Sequence, residues 1–432
     1  MHTLQELKNG ELKGSLKINI SEGLTEFPRE LFDLKDTLEF LDLSGNKLFE
    51  LPSDFGDFKK LKIAFFSNNN FTSLPSVLSN CPKLTMIGFR ANKITIFTEN
   101  ALPLKTQWLI LTDNLIEEIP KSIGDCTFLQ KMAIAGNKIK TLPEEMSKCV
   151  NLELLRISAN KLEFLPVWLV SLPKLSWLAF SGNPCSHQKE VSNPLQKIHW
   201  NTIETLEQLG EGASGVISKA IWNISTPKEV AIKIFKGEVT SDGYPEDELN
   251  NSILSGSHAN LIPIIGEISN HSESKNGLVM ELISSDYKNL GNPPSYDTCT
   301  RDVFSDDLIF SIDQLINTSK GVASAAKHLH EQSLMHGDLY AHNTMINPVG
   351  NALLGDFGAA TCYDKDSELA HLLERLDVRA FGCLLDDLLE RVEEKHSAIF
   401  QELTILKEKC FDESVAKRPS FDFIYSQLER LK

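Results

Sequence analysis

No stretch of this 432-residue chain reaches 18 uninterrupted apolar residues, so the sequence offers no membrane span. Its opening, MHTLQELKNGELKG, lacks the apolar core of an export signal and mixes charges of both signs. Eight cysteines are present, but none forms a C-x-x-C pair or stands at ligand spacing from a histidine, which argues against a zinc site. Basic charge fails to balance acidic charge in one half only. Residues 1–187 carry 21 basic and 21 acidic side chains, whereas residues 188–432 carry 22 and 38. The whole net charge of −16 therefore sits in the second half. Such an excess is repelled by phosphate backbones and argues against a nucleic-acid partner. What remains, 41% apolar and 24% charged residues, is ordinary for a globular protein long enough to hold two or three cores.

The first half repeats. Asparagine recurs at Asn46, Asn69, Asn92, Asn114, Asn137, Asn160 and Asn183, at intervals of 23, 23, 22, 23, 23 and 23 residues. Around each lies the pattern L-x-x-L-x-L-x-x-N-x-L, as in Leu152, Leu155, Ile157, Asn160 and Leu162. Five residues after the Asn stands an apolar residue, usually followed by proline, as in Leu51-Pro52 and Leu142-Pro143. These motifs resemble the leucine-rich repeat. A unit of this size presents an apolar face that it cannot bury alone, so stacked neighbours must share one core. The resemblance implies an α/β solenoid over residues 1–187, its N-terminal cap in residues 1–30, with each Asn amide satisfying buried backbone groups. Twelve residues beyond the Asn, Cys81, Cys126 and Cys149 share a column with Phe58, Leu104 and Leu172. Cysteine there behaves as a small buried hydrophobe, and a reduced, cytoplasmic setting is expected.

A second column carries a partner prediction. Within L-x-x-L-x-L the flanking leucines point inward, and the intervening residues alternate to the opposite, concave face. The residue before the second leucine reads Phe40, Ile63, Met86, Trp108, Lys131, Leu154 and Trp177, apolar in six of seven cases. A contiguous apolar strip open to solvent marks an interaction site, rich here in aromatic anchors. The expectation is that Phe40, Ile63, Met86, Trp108, Leu154 and Trp177 receive a protein substrate or regulator. The competing reading is that these side chains pack against one another along the sheet.

Periodicity lapses over residues 188–200, taken as a linker, and a different set of motifs follows. Gly210, Gly212 and Gly215 with Val216 give a G-x-G-x-x-G loop, whose small residues allow close approach of phosphate. Val230-Ala231-Ile232-Lys233 comes next, then the acidic run Glu246-Asp247-Glu248 and His258-Ala259-Asn260-Leu261. Leu278-Val279-Met280-Glu281-Leu282 precedes a helical stretch. Beyond it stand His336-Gly337-Asp338-Leu339-Tyr340-Ala341-His342-Asn343 and Asp356-Phe357-Gly358. Asp377-Val378-Arg379-Ala380-Phe381-Gly382 and Lys417-Arg418-Pro419-Ser420-Phe421 close the series. In this order and spacing the motifs resemble a protein kinase domain, of tyrosine-kinase-like type in the last two elements.

The resemblance implies a bilobal α+β fold over residues 201–432, using ATP and Mg²⁺. Gly210, Gly212, Gly215, Val216, Ala231, Met280, Glu281 and Leu282 are then the nucleotide-binding residues. Lys233 binds phosphate and pairs with an acid on the following helix, for which Glu248 is favoured. Asp338 orients the acceptor hydroxyl and takes its proton. Asn343 and Asp356 hold Mg²⁺ through oxygen.

Three departures from the family pattern matter. Gly337 replaces the arginine that reads a phosphorylated activation loop. Only 18 residues separate Gly358 from Asp377 and no A-P-E occurs, so the activation segment is short and Arg418 lacks its usual glutamate; Glu368 and Glu374 are both candidates. Tyr340 and His342 match neither the serine/threonine nor the tyrosine acceptor signature. The leading reading is a Ser/Thr-type kinase whose activity is not gated by loop phosphorylation and whose repeats recruit a partner. A pseudokinase scaffold and a kinase-fold enzyme with a small-molecule acceptor remain alternatives.

Overall fold

A computed structural model describes residues 1–187, 195–212, 214–237 and 239–431. The chain divides into two units. One comprises Met1–Lys174 with Asn183–Cys185, and the other Leu175–Gly182 with Ser186–Lys432.

The first unit opens with a one-turn helix α1 (Leu4–Lys8), closed by a reciprocal capping box between Thr3 and Glu6. Seven strands follow at the repeat spacing: β1 (Lys17–Asn19), β2 (Phe40–Asp42), β3 (Ile63–Phe65), β4 (Met86–Gly88), β5 (Trp108–Ile110), β6 (Lys131–Ala133) and β7 (Leu154–Arg156). Each pairs in parallel with the next, so that Phe40, Ile63, Met86, Trp108, Lys131 and Leu154 stand side by side. The centre residue of each strand points inward. Leu41, Ala64, Ile87, Leu109, Met132 and Leu155 have no exposed surface.

The return legs are single 3-10 turns opened by proline at Pro28, Pro75, Pro120 and Pro143, where a fixed φ suits the turn start. A short helix α2 (Val167–Val170) replaces the 3-10 turn after Pro166. The asparagines knit successive turns. Asn137 accepts from the Ile116 amide at 3.0 Å and donates to the Leu111 and Ile134 carbonyls, each at 3.0 Å. All eight cysteines are free and seven are buried. Burial pushes the Cys81 thiol up to about 12 and the Cys126 thiol up to about 11.

The apolar strip expected to be open is only half so. Phe40, Ile63 and Trp108 are partly exposed, whereas Met86 and Leu154 are buried. The parallel register sets these large side chains in one row, where neighbours cover one another. The Lys131 ammonium lies 4.1 Å over the Trp108 ring.

The second unit begins with strand β8 (Trp177–Ala179), the strand of the repeat that ends at Asn183. Residues 188–194 of the expected linker lie outside the described residues. The remainder of that linker is structured: β9 (Gln196–His199) pairs in parallel with the later strand at Ile264–Ser269. Then come β10 (Ile203–Glu211), β11 (Gly215–Trp222), β12 (Lys228–Phe235), helix α3 (Pro245–Leu254), β13 (Ile264–Ser269) and β14 (Gly277–Glu281). The sheet runs in the order β10-β11-β12-β14-β13-β9. Its core gathers Ile198, Ala220, Val230, Ile232, Ile268 and Val279 from one face.

A helical subdomain follows. It holds β15 (Lys288–Asn289), α4 (Ile312–Glu331), β16 (Leu334–Met335), β17 (Thr344–Ile346), β18 (Ala352–Leu354), β19 (Thr361–Cys362), α5 (Ala370–Glu390), α6 (Ala398–Cys410) and α7 (Phe421–Arg430). Small residues let α4 approach closely: a Cβ at Gly321 would stand 3.2 Å from that of Ala352. Between β19 and α5 lie only seven residues, a turn with no helix of its own. Among the described residues, no helix is long and apolar enough to cross a membrane.

Candidate active site

Strand β12 alternates, so Ala231 and Lys233 share the face that looks into a cleft of about 830 Å³. Lys233 is buried and pairs with the Glu248 carboxylate on α3. Burial alone would depress the Lys233 ammonium, but the charges of Asp356 and Glu248 outweigh it and its pKa is raised. The amine therefore stays cationic inside the cleft. Two carboxylates around one lysine leave a site suited to a further positive charge beside an anionic ligand.

Asp356 sits at the opposite wall in a left-handed conformation, φ 59°, and its Oδ1 accepts from the Gly358 amide at 3.1 Å. Phe357 is buried at the floor of the cleft and packs into a core with Leu261, Leu329, Leu334 and Leu354. That burial turns the preceding carboxylate toward Lys233. A backbone bond from the Gly355 amide to the Asn343 carbonyl, 3.0 Å, ties the Asp356 strand to the catalytic loop. The Asn343 amide nitrogen donates to both the main-chain oxygen and Oδ2 of Asp338, at 2.9 and 2.8 Å. With the nitrogen so committed, the Asn343 side-chain oxygen is the atom left for a hard cation.

The loop before Asp338 is pinned from below. Asp377 on α5 is fully buried and accepts from the amides of His336 (2.8 Å) and Gly337 (3.1 Å), while its Oδ2 meets His330 Nε2 at 3.0 Å. Tyr340 donates its hydroxyl to the Thr300 carbonyl at 2.8 Å. His342 is clasped by Asp302, ring to carboxylate at 2.7 Å and amide to carboxylate at 3.0 Å. Burial would lower the His342 pKa, but the Asp302 hydrogen bond and the charge of Asp338 raise it.

Most expected nucleotide residues line the cleft: Gly210, Ala231, Lys233, Glu248, Met280, Glu281 and Leu282. Gly212 and Gly215 form the turn above it, the Gly212 amide donating to the Gly215 carbonyl at 2.9 Å. Val216 is a correction. Ile217, facing Lys233 across the β11–β12 pair, lines the wall, and alternation turns Val216 to the other side. Met345 and Ile217 were missed, although counting two residues on from Gly215 finds Ile217. Trp177 is a second correction: it is 1% exposed, its ring stacked on Tyr340 at 4.3 Å with 7° between planes. Its face is occupied within its own unit and is not open to a partner. Arg418 and one of its two candidate partners, Glu374, make the following bonds. The guanidinium donates to the carbonyls of Arg375 (3.1 Å) and Asp412 (3.0 Å), while Glu374 accepts from the Phe421 amide at 2.9 Å.

Residues 203–380 match the protein kinase domain, and residues 37–58 and 127–184 match leucine-rich repeats. The chain carries leucine-rich repeats followed by a protein kinase domain. A "probable cyclin-dependent serine/threonine-protein kinase" of Dictyostelium discoideum is 29% identical over 195 residues, 45% of this chain and 28% of the relative. Cyclin-dependent kinase 11B of Mus musculus is 28% identical over 163 residues, 37% of this chain and 19% of that protein. Dual specificity protein kinase pyk3 of Dictyostelium discoideum is 22% identical over 274 residues, 55% of this chain and 19% of that protein. The chain thus spans less than a third of the length of these curated relatives. None of the three names carries the tyrosine-kinase-like grouping expected from the Asp377 and Lys417 motifs.

Proposed function

We propose that this chain is an active protein kinase that transfers the γ-phosphoryl group of ATP to a serine or threonine hydroxyl of a protein. The observation that carries the reading is the joint placement of Lys233, Glu248 and Asp356 around one cleft, with Asp338 and Asn343 hydrogen-bonded beside it. Cation, carboxylates and amide are the donor set that a nucleotide with its magnesium ion requires. Lys233 holds phosphate oxygens, kept charged by its two acids. Ile217, Ala231 and Met345 offer apolar walls for a flat base, and Glu281 and Leu282 offer main chain at its edge. Asn343 and Asp356 are the residues that hold Mg²⁺, which neutralises phosphate charge when bound.

In the transfer, the acceptor oxygen forms a bond to the γ-phosphorus as the β–γ P–O bond breaks. Asp338 orients the acceptor and takes its proton. Relatives named as serine/threonine and dual-specificity kinases support a hydroxyl acceptor of this type. The repeats recruit a substrate or regulator, with Phe40, Ile63 and Trp108 as the partly exposed anchors. Eight free thiols suit a reducing compartment, and we place the protein in the cytoplasm.

The test is transfer from labelled ATP·Mg²⁺ to basic and tyrosine-bearing protein acceptors, comparing the native chain with Asp338→Asn and Asp356→Asn. Label transferred by the native protein, lost in both variants and found on serine or threonine, is the expected result. No transfer to any acceptor despite saturable ATP binding overturns the proposal in favour of a nucleotide-binding scaffold.

A further inference from the structure

Gly337, Tyr340 and the short activation segment, three departures from the family pattern, all meet one segment of chain. Gly337 has φ +69°, and a Cβ built on it would collide with the Leu178 carbonyl oxygen and lie 2.8 Å from that of Ala359. An arginine has no room there, because strand β8 occupies the space. Two residues on, Leu339 gives its carbonyl to the Trp177 indole N–H at 3.2 Å, and Tyr340 gives its ring face to the same indole. Across the site, the Phe180 amide donates to the Thr361 hydroxyl at 3.2 Å, and the His187 amide donates to the Cys362 carbonyl at 3.0 Å. Thr361 and Cys362 form β19, which pairs with β16 immediately before the catalytic loop. Trp177 and Leu178 are fully buried, and the indole lines the same small crevice as Ala380 and Leu384 of α5.

We propose that Leu175–Gly182 does the work that a longer activation loop would do: it braces the catalytic loop permanently, with Trp177 as its positioning residue. This rests on the kinase reading above. In kinases with an arginine before the catalytic Asp, a phosphorylated loop draws that arginine in and fixes the Asp. Here hydrogen bonds and one aromatic stack hold residues 337, 339 and 340 on either side of Asp338, and no modification is needed. The brace also withdraws residue 340 from the acceptor. One face of Tyr340 is covered by Trp177 and its hydroxyl is spent on Thr300.

The test uses the full chain as native protein, Trp177→Ala, Trp177→Phe and Thr361→Val. Three readouts are taken: kcat and KM for ATP, ATP affinity, and hydrogen exchange of the amides in 334–343. First, phosphatase-treated native protein, phosphate-free by mass, keeps its full rate. Trp177→Ala lowers kcat at least tenfold, with KM for ATP and ATP affinity changed less than threefold. Trp177→Phe restores most of the rate, because the stack survives. Exchange in 334–343 accelerates at least tenfold in Trp177→Ala, while the amides of β10 to β12 keep their native rates. Should Trp177→Ala fail to fold, Thr361→Val carries the same expectations at smaller size. Loss of activity on phosphatase treatment, or a folded Trp177→Ala with native kcat and native exchange, overturns the brace. If the native chain transfers no phosphate, the kinase reading falls, and the exchange comparison still decides for or against the brace.

Discussion

Replacing Glu248 by glutamine separates what the ion pair does for catalysis from what it does for stability. The substitution keeps the shape and removes the charge. Breaking a buried pair usually costs about 3–5 kcal/mol, because the surviving charge is left uncompensated. Here the surviving charge is Lys233, and Asp356 also faces it. Burial also pushes the Glu248 carboxyl pKa up against the pull of Lys233, so the ion itself is costly to bury. Both facts move the loss below that range, to about 1–3 kcal/mol, or roughly 2–10 °C in melting temperature for a unit of this size. Catalysis has no such second support. With Glu248 neutral, the ammonium is drawn to Asp356 and away from the phosphate position, and a displacement near 1 Å is worth about a hundredfold in rate. The assay is kcat/KM for ATP beside a thermal melt of the same samples. Transfer within threefold of native, or a melting point lowered by more than about 15 °C, would refute the reasoning.

Three further perturbations probe other parts of the molecule. Asn137→Ala orphans one amide and two carbonyls that are buried, at about 1–3 kcal/mol each, so a loss of about 3 kcal/mol or more is expected in urea unfolding of the repeats. Ala231→Leu fills the apolar wall of the cleft and should raise KM for ATP at least tenfold with a near-native melt; an unchanged KM would place the base elsewhere. Asp247 has its carboxyl pushed up to about 6 by burial and by Glu246. A raised folded-state pKa means the ionised acid costs stability above about pH 6, and that cost fades as pH falls toward 4. Asp247→Asn should therefore stabilise by about 1–2 kcal/mol at pH 8 and lose that advantage at pH 4, in melts taken across the range; a pH-independent difference would count against it.

Much of this was legible in the sequence, because the signals are local. A 23-residue period places every repeat Asn in the ladder, and the motif residues Lys233, Asp338, Asn343 and Asp356 meet in one site. Glu248, chosen from an acidic run of three, is the acid that reaches Lys233; α3 turns Asp247 elsewhere. What periodicity could not supply was tertiary cover. Trp177 occupies the same column as Phe40, yet its surroundings come from Tyr340, 163 residues further along, and strand alternation carries no record of so distant a neighbour. Met86 and Leu154 read as open because a one-strand pattern ignores the strands beside it. Likewise β9 sits where periodicity had lapsed, since its pairing with β13 depends on chain some 70 residues away.

The assignment of Leu175–Gly182 to the second unit bears on how such a gene can be cut and recombined. The point where the asparagine period ends is the natural place to draw a module boundary, but a chain divided there would leave Gly337, Leu339 and Tyr340 facing a trench of solvent. A free-standing catalytic fragment must therefore begin no later than Leu175, and transplanting a foreign repeat array requires carrying this one strand along with the recipient.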